Sequence, residues 1–191
     1  MDFFEFILII TSVVYALCMA PLLSGIVSVL QFDGKRTFFL PQAVFAAFLF
    51  LMVPMLWWTM WIFRDIDWHF ATYFYMIIEP AVMFIACSLI FPQRLDHDEL
   101  NLERHYYKIR VSFLISCLVL GVLVFADGVV IGTEPVWHEL RYFQIFFLAI
   151  LIWGLADRRR LAQYVAALGC LISAGILLYM GFWLPAGPTL S

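Results

Sequence analysis

Charge is scarce in this sequence. Asp, Glu, Lys and Arg make up 13% of its 191 residues, where a soluble domain carries about 25%. A water-facing surface of ordinary polarity cannot be built from that supply. No polar stretch is long enough to form a separate soluble domain, so one membrane domain over residues 1–191 is expected. Cysteine is limited to Cys18, Cys87, Cys117 and Cys170, all inside apolar runs. With no CxxC or Cys/His spacing, these read as small buried apolar residues rather than metal ligands or a disulfide framework. Catalytic signatures are missing as well. The chain has no HExxH, no GxSxG and no glycine-rich phosphate loop, and "DGVVIG" at Asp127 lacks the further acids of a metal-dependent lipid transferase. An enzyme is not expected, nor are a cofactor, a metal or a nucleic-acid partner.

What is present is apolar. Hydrophobic residues reach 65% and aromatics 18%, with a mean hydropathy of +0.97. Six runs can be drawn, over residues 6–30, 38–63, 70–91, 111–131, 138–156 and 161–184. A helical span needs about 20 apolar residues at about 1.5 Å each. The fifth run is short and reaches that length only if Arg141 snorkels and the helix starts near Trp137. The first run lacks a basic leader, since Met1 is followed by Asp2 and Glu5, and is read as a mature helix rather than a signal peptide. The expected fold is therefore an all-α integral membrane bundle of about six transmembrane helices.

The loops orient the bundle. With the N-terminus outside, nine bases fall on the cytoplasmic side: Lys35, Arg36, Arg94, Arg104, Lys108, Arg110, Arg158, Arg159 and Arg160. Only Arg64 and Arg141 remain outside, a strong positive-inside bias that also favours six spans and places both termini outside. The outer side holds Asp2, Glu5, Asp65, Asp67, Asp127, Glu134 and Glu139. Six tryptophans (Trp57, Trp58, Trp61, Trp68, Trp137 and Trp183) fall near it, as an interfacial belt would.

Glu79 is the leading candidate for function. It lies about ten residues from either end of the third run, near the bilayer midplane, where an ionised carboxylate is expensive. It is expected to be neutral, paired or facing a wet cavity, and no ionisable partner is evident at its depth. Pro80 follows, and its ring removes a donor from the helix ladder. A titratable group beside a disturbed backbone suits a proton or cation site. The plainer reading is a neutral Glu79 hydrogen-bonded to Tyr15 or Ser173. Pro21 and Pro54 interrupt the first two runs, and the last three runs contain no proline.

Other clusters carry two readings each. Ala166, Gly169, Cys170, Ser173 and Ala174 form a small-residue face suited to close helix packing, either within the chain or in a homo-oligomer. In "RDIDWH", an extended turn would point Asp65, Asp67 and His69 the same way. With His138 and Glu139 they would resemble a cation site, though a polar outer turn pairing Arg64 with an Asp is the simpler account. Asp127 is expected to reach the outer boundary or to meet Arg64 or Arg141. Pro92–Arg110, with Leu100, Leu102, Tyr106 and Tyr107 against the membrane surface and Lys108 and Arg110 toward headgroups, reads as a connector or as a docking surface for a cytoplasmic protein. The cluster Asp96, His97, Asp98 and Glu99 within it carries no distinct metal spacing.

The strings "WWTMWIFRDIDWHFATYFYMIIEPAVMFIACSLIFP", "APLLSGIVSVL", "ERHYYKIR" and "ADRRRLAQYVAAL" together resemble a group of small bacterial multi-pass inner-membrane proteins with no assigned function. The resemblance implies a bacterial inner membrane and brings no activity or site residues. Taken together, these features suggest transport or permeation of a proton, a cation or a small amphiphile. The alternative is a membrane scaffold or sensor acting through the 92–110 loop, and an intramembrane enzyme ranks third. Membrane lipids and a second copy of the chain are the other expected partners.

Overall fold

The computed structural model describes residues 3–93, 99–131 and 140–183. Six helices dominate: α1 (Phe3–Gln31), α2 (Leu40–Thr59), α3 (Phe70–Leu89), α4 (Leu102–Ile131), α5 (Leu140–Ala156) and α6 (Arg160–Trp183). A 3-10 turn, Met60–Phe63, continues α2. Five of the helices are long and apolar enough to cross a membrane, and α5 is the shorter exception. In lipid a segment must satisfy its own backbone, and only a helix does so without neighbours. The outward faces are as apolar as the core, with Leu30 68% exposed and Phe70 79% exposed. The chain is thus an all-α membrane bundle.

Packing is not sequential. α1 lies against α3, and α3 against α4, α5 and α6 follow in turn, and α2 closes the ring between α6 and α1. α2 sits nearest the centre. Its Phe45, Phe48, Leu49, Met52, Val53 and Leu56 are all buried, and its apolar window is the most enclosed of the five. Close approach depends on small residues. A Cβ on Gly25 of α1 would sit 2.4 Å from the Phe91 ring. On Gly154 of α5 it would meet the Ala166 Cβ at 2.8 Å, and on Gly169 of α6 the Ile150 Cδ1 at 2.5 Å. The small-residue face of α6 is therefore used inside the chain, where Ala166, Gly169, Cys170, Ser173 and Ala174 are all buried. A second copy would need a different surface.

Two helix ends on the basic side are capped by other helices. α5 has 17 residues, which at about 1.5 Å each gives about 25 Å, short of a hydrocarbon core of about 30 Å. Its last carbonyls have no donors within the helix and need others. Arg110 of α4 supplies them: its Nη1 donates to the Gly154 carbonyl at 2.6 Å and to the Leu155 carbonyl at 3.2 Å. Gln163 Nε2 of α6 donates to the carbonyls of Gly154 and Asp157, and Tyr106 Oη donates to Gln163 Oε1 at 2.7 Å. α3 is treated similarly. Gln42 Nε2 donates to the Ile90 carbonyl at 2.5 Å, and a ring nitrogen of His105 lies 3.1 Å from the Leu89 carbonyl.

This side also holds a feature the sequence reading missed. Strand β1 (Lys35–Thr37) pairs in parallel with strand β2 (Glu99–Asn101), in the register Lys35 to Glu99 and Thr37 to Asn101. β1 follows α1 and β2 lies between α3 and α4. Because α1 and α3 run the same way, the segments that leave them can align in parallel, with the α2–α3 hairpin as the crossover. Leu100 and Leu102 are buried with Val29 and Phe32. Helix α4 begins at Leu102, nine residues before the expected start at Val111.

Candidate functional site

Tyr15 of α1 and Glu79 of α3 meet because α1 packs on α3. Both are buried, and Tyr15 Oη donates to Glu79 Oε1 at 3.1 Å. Ser173, the other expected partner, is not brought to Glu79; its hydroxyl donates to the Gly169 carbonyl of its own helix at 2.8 Å. The expectation that Glu79 has no ionisable neighbour also needs correcting. Asp127 of α4 interacts electrostatically with both Glu79 and Tyr75, and Tyr75 Oη donates to the Leu123 carbonyl one turn earlier on α4 at 2.7 Å. Linear spacing could not reveal this, since α3 and α4 are joined on the opposite side of the bundle. Next to Glu79, the Pro80 carbonyl lies 3.4 Å from Cys18 Sγ.

A cavity of about 180 Å³ opens between α2, α4, α5 and α6. Its walls are mostly apolar, with Phe48, Met52, Leu120, Phe147 and Leu177 among them, and Asp127, Arg141, Gln144 and Ser173 add polar points. Ile62 and Phe143 also line it and are 60% and 40% exposed, so the cavity opens at the protein surface between apolar side chains. Glu79 is not on the cavity wall.

Arg141 is the unexpected residue of this cavity. The short fifth run suggests a side chain stretching toward water, yet Arg141 is only 1% exposed and turns inward. Its Nη1 donates to the Phe125 carbonyl and, at 2.9 Å, to Gln144 Oε1. The guanidinium carbon lies 4.5 Å from the centroid of the Phe125 ring, a cation–π contact. Its Nε and Nη2 find no hydrogen-bond acceptor among the described residues. Asp127 and Arg141 both line the wall, whereas Arg64 is exposed elsewhere.

The remaining sequence candidates are dispersed. Arg64 and Asp65 form a turn rather than an extended strand, so Asp65, Asp67 and His69 do not line up; all three are exposed. His138 and Glu139 lie outside the described residues, as do Asp96, His97 and Asp98. Among the described residues no group of three His, Cys, Asp or Glu side chains is placed to hold a metal ion. In the described part of the 92–110 segment, the residues expected against the membrane surface or its headgroups are mostly turned into the protein. Leu100, Leu102, Tyr106 and Arg110 are buried in the protein. Arg160 is drawn to Glu103 through two hydrogen bonds, at 2.8 and 2.7 Å. The four cysteines are buried and free.

No family model matches this chain, and neither does any curated protein or solved structure.

Proposed function

We propose that this multi-pass membrane protein takes a small amphiphile from the bilayer into the cavity between α2, α4, α5 and α6 and assists its passage. The observation that carries this reading is the cavity itself. It is apolar over most of its wall, polar at a few points, and its mouth is bounded by the exposed apolar side chains Ile62 and Phe143. Ligand sites have this composition: apolar walls supply affinity and a few polar groups fix orientation. The space exceeds the roughly 150 Å³ apolar cavity that holds a benzene molecule. The proposal includes a bacterial inner membrane and an orientation with both termini outside, on the positive-inside argument.

The test is photolabelling in nanodiscs with a diazirine-bearing dodecyl amphiphile, followed by peptide mapping. Labels are expected on Met52 or Phe147, and Leu177→Trp, which fills the cavity, should remove them. Labels confined to outward residues such as Leu17 and Leu168 would reject the reading.

A second reading is favoured by one observation, the buried hydrogen bond of Glu79 with Tyr15, with Asp127 as a further carboxyl on the neighbouring helix α4. Two carboxyls in one membrane bundle suit proton coupling. Proteoliposome flux that is the same in wild type and Glu79→Gln across pH 5 to 8 would remove it.

A further inference from the structure

We infer that the cavity holds its ligand by an anionic head group, a carboxylate or a phosphate, seated on the free edge of Arg141. This rests on the amphiphile-binding reading above and assigns its ligand a charge.

A guanidinium presents five N–H donors in a rigid plane. In Arg141, Nη1 is committed to Phe125 and Gln144. The two groups left over, Nε and Nη2, are not scattered. They share one edge of the guanidinium and project two parallel N–H bonds, the fork that matches the two oxygens of a carboxylate or phosphate. The same chain shows this edge in use on the basic side, where Arg160 Nε and Nη2 grip the two oxygens of Glu103 at 2.8 and 2.7 Å. There the carboxylate comes from the protein. Arg141 lines the cavity wall and is 1% exposed; among the described residues no acceptor meets its buried free edge, and a ligand's anion would reach it by a small turn of the side chain.

A buried cation whose donors are unmet is costly, and a ligand that meets them gains what the empty site lacks. Arg141 lies in the first turn of α5, where the helix dipole adds further positive potential. Among the described residues Asp127 is the one acid on the same wall, and the Nε and Nη2 of Arg141 make no hydrogen bond to it. The cavity encloses the head group and the first carbons, and a longer chain leaves past Ile62 and Phe143 into the bilayer.

The test uses purified protein in phosphatidylcholine nanodiscs and three probes of equal chain length: dodecanoate, dodecanol and dodecyltrimethylammonium. Dodecanoate should bind saturably and at least tenfold more tightly than the other two. Arg141→Gln should remove that preference while leaving dodecanol binding in place. Arg141→Lys, which keeps the charge and loses the fork, should recover only part. Should either Arg141 variant fail to fold, Leu177→Trp keeps Arg141 and should block dodecanoate binding. Doping the nanodiscs with phosphatidylglycerol identifies the source: competition points to a lipid head group, and its absence to a free acid. Equal binding of all three probes overturns the anion inference alone. Binding of none overturns both this inference and the amphiphile reading.

Discussion

Replacing Arg110 by Met should expose how much the short fifth helix depends on its neighbour. Arg110 is 3% exposed, and its Nη1 makes close bonds to the Gly154 and Leu155 carbonyls at 2.6 and 3.2 Å. Hydrogen bonds from a charged donor are worth about 1.5–3 kcal/mol each, so the two together set a ceiling of about 3–6 kcal/mol. Removing a buried charge returns part of that. Gln163 also keeps its bonds to Gly154 and Asp157 at 2.8 and 2.6 Å, which leaves Leu155 as the carbonyl stripped of its donor. The net loss should be about 2–4 kcal/mol, or roughly 4–16 °C in Tm for a chain of this size. Tryptophan fluorescence during thermal unfolding in a maltoside detergent reads it directly. Arg159→Met, at an exposed position of the same basic side, should move Tm by no more than about 2 °C. Arg110→Lys should fall between, since it keeps the charge but its ammonium sits on a shorter side chain than the Nη1 that reaches these carbonyls. If Arg110→Met melts with Arg159→Met, the capping argument is wrong.

Other outcomes follow from the same packing. Gly154→Ala should cost about 1–2 kcal/mol, because the new Cβ would lie 2.8 Å from Ala166. Gly175→Ala meets nothing within 4 Å and should be neutral or up to about 1 kcal/mol stabilising; comparing the two melts checks both. Tyr15→Phe and Glu79→Gln should be coupled by about 0.5–1.5 kcal/mol in a double-mutant cycle, and additive losses would deny the bond between them. Cys18, Cys87, Cys117 and Cys170 should resist a maleimide in the folded protein and react together on unfolding, by mass spectrometry. Early labelling of Cys18 would contradict the packing of α1 on α3.

The class of the protein was legible because lipid imposes a constraint that each span obeys alone. A run such as Leu40–Phe63 reads as a crossing segment without knowledge of its neighbours. Glu79 stood out for the same reason, as a lone carboxyl in an apolar run, and Tyr15 was within the set of partners its depth allowed. The failures share a cause. Arg110 and Arg141 were counted as headgroup-facing bases, yet both are buried against carbonyls of other helices. Asp127 was placed at a boundary rather than near Glu79, and the pairing of residues 35–37 with 99–101 joins segments more than sixty positions apart.

Apolar run length and the uneven distribution of arginine and lysine are properties of the linear chain, and they determined an all-helical membrane bundle and the grouping of its basic loops. Tertiary structure alone decided which helices touch. Six helices in lipid can be ringed in many orders at similar burial, because their outward faces are as apolar as their inward ones. The order α1–α3–α4–α5–α6–α2 is selected by close approach at Gly25, Gly154 and Gly169 and by side chains that reach across to the carbonyls at helix ends. The Arg141 cavity exists only in that arrangement.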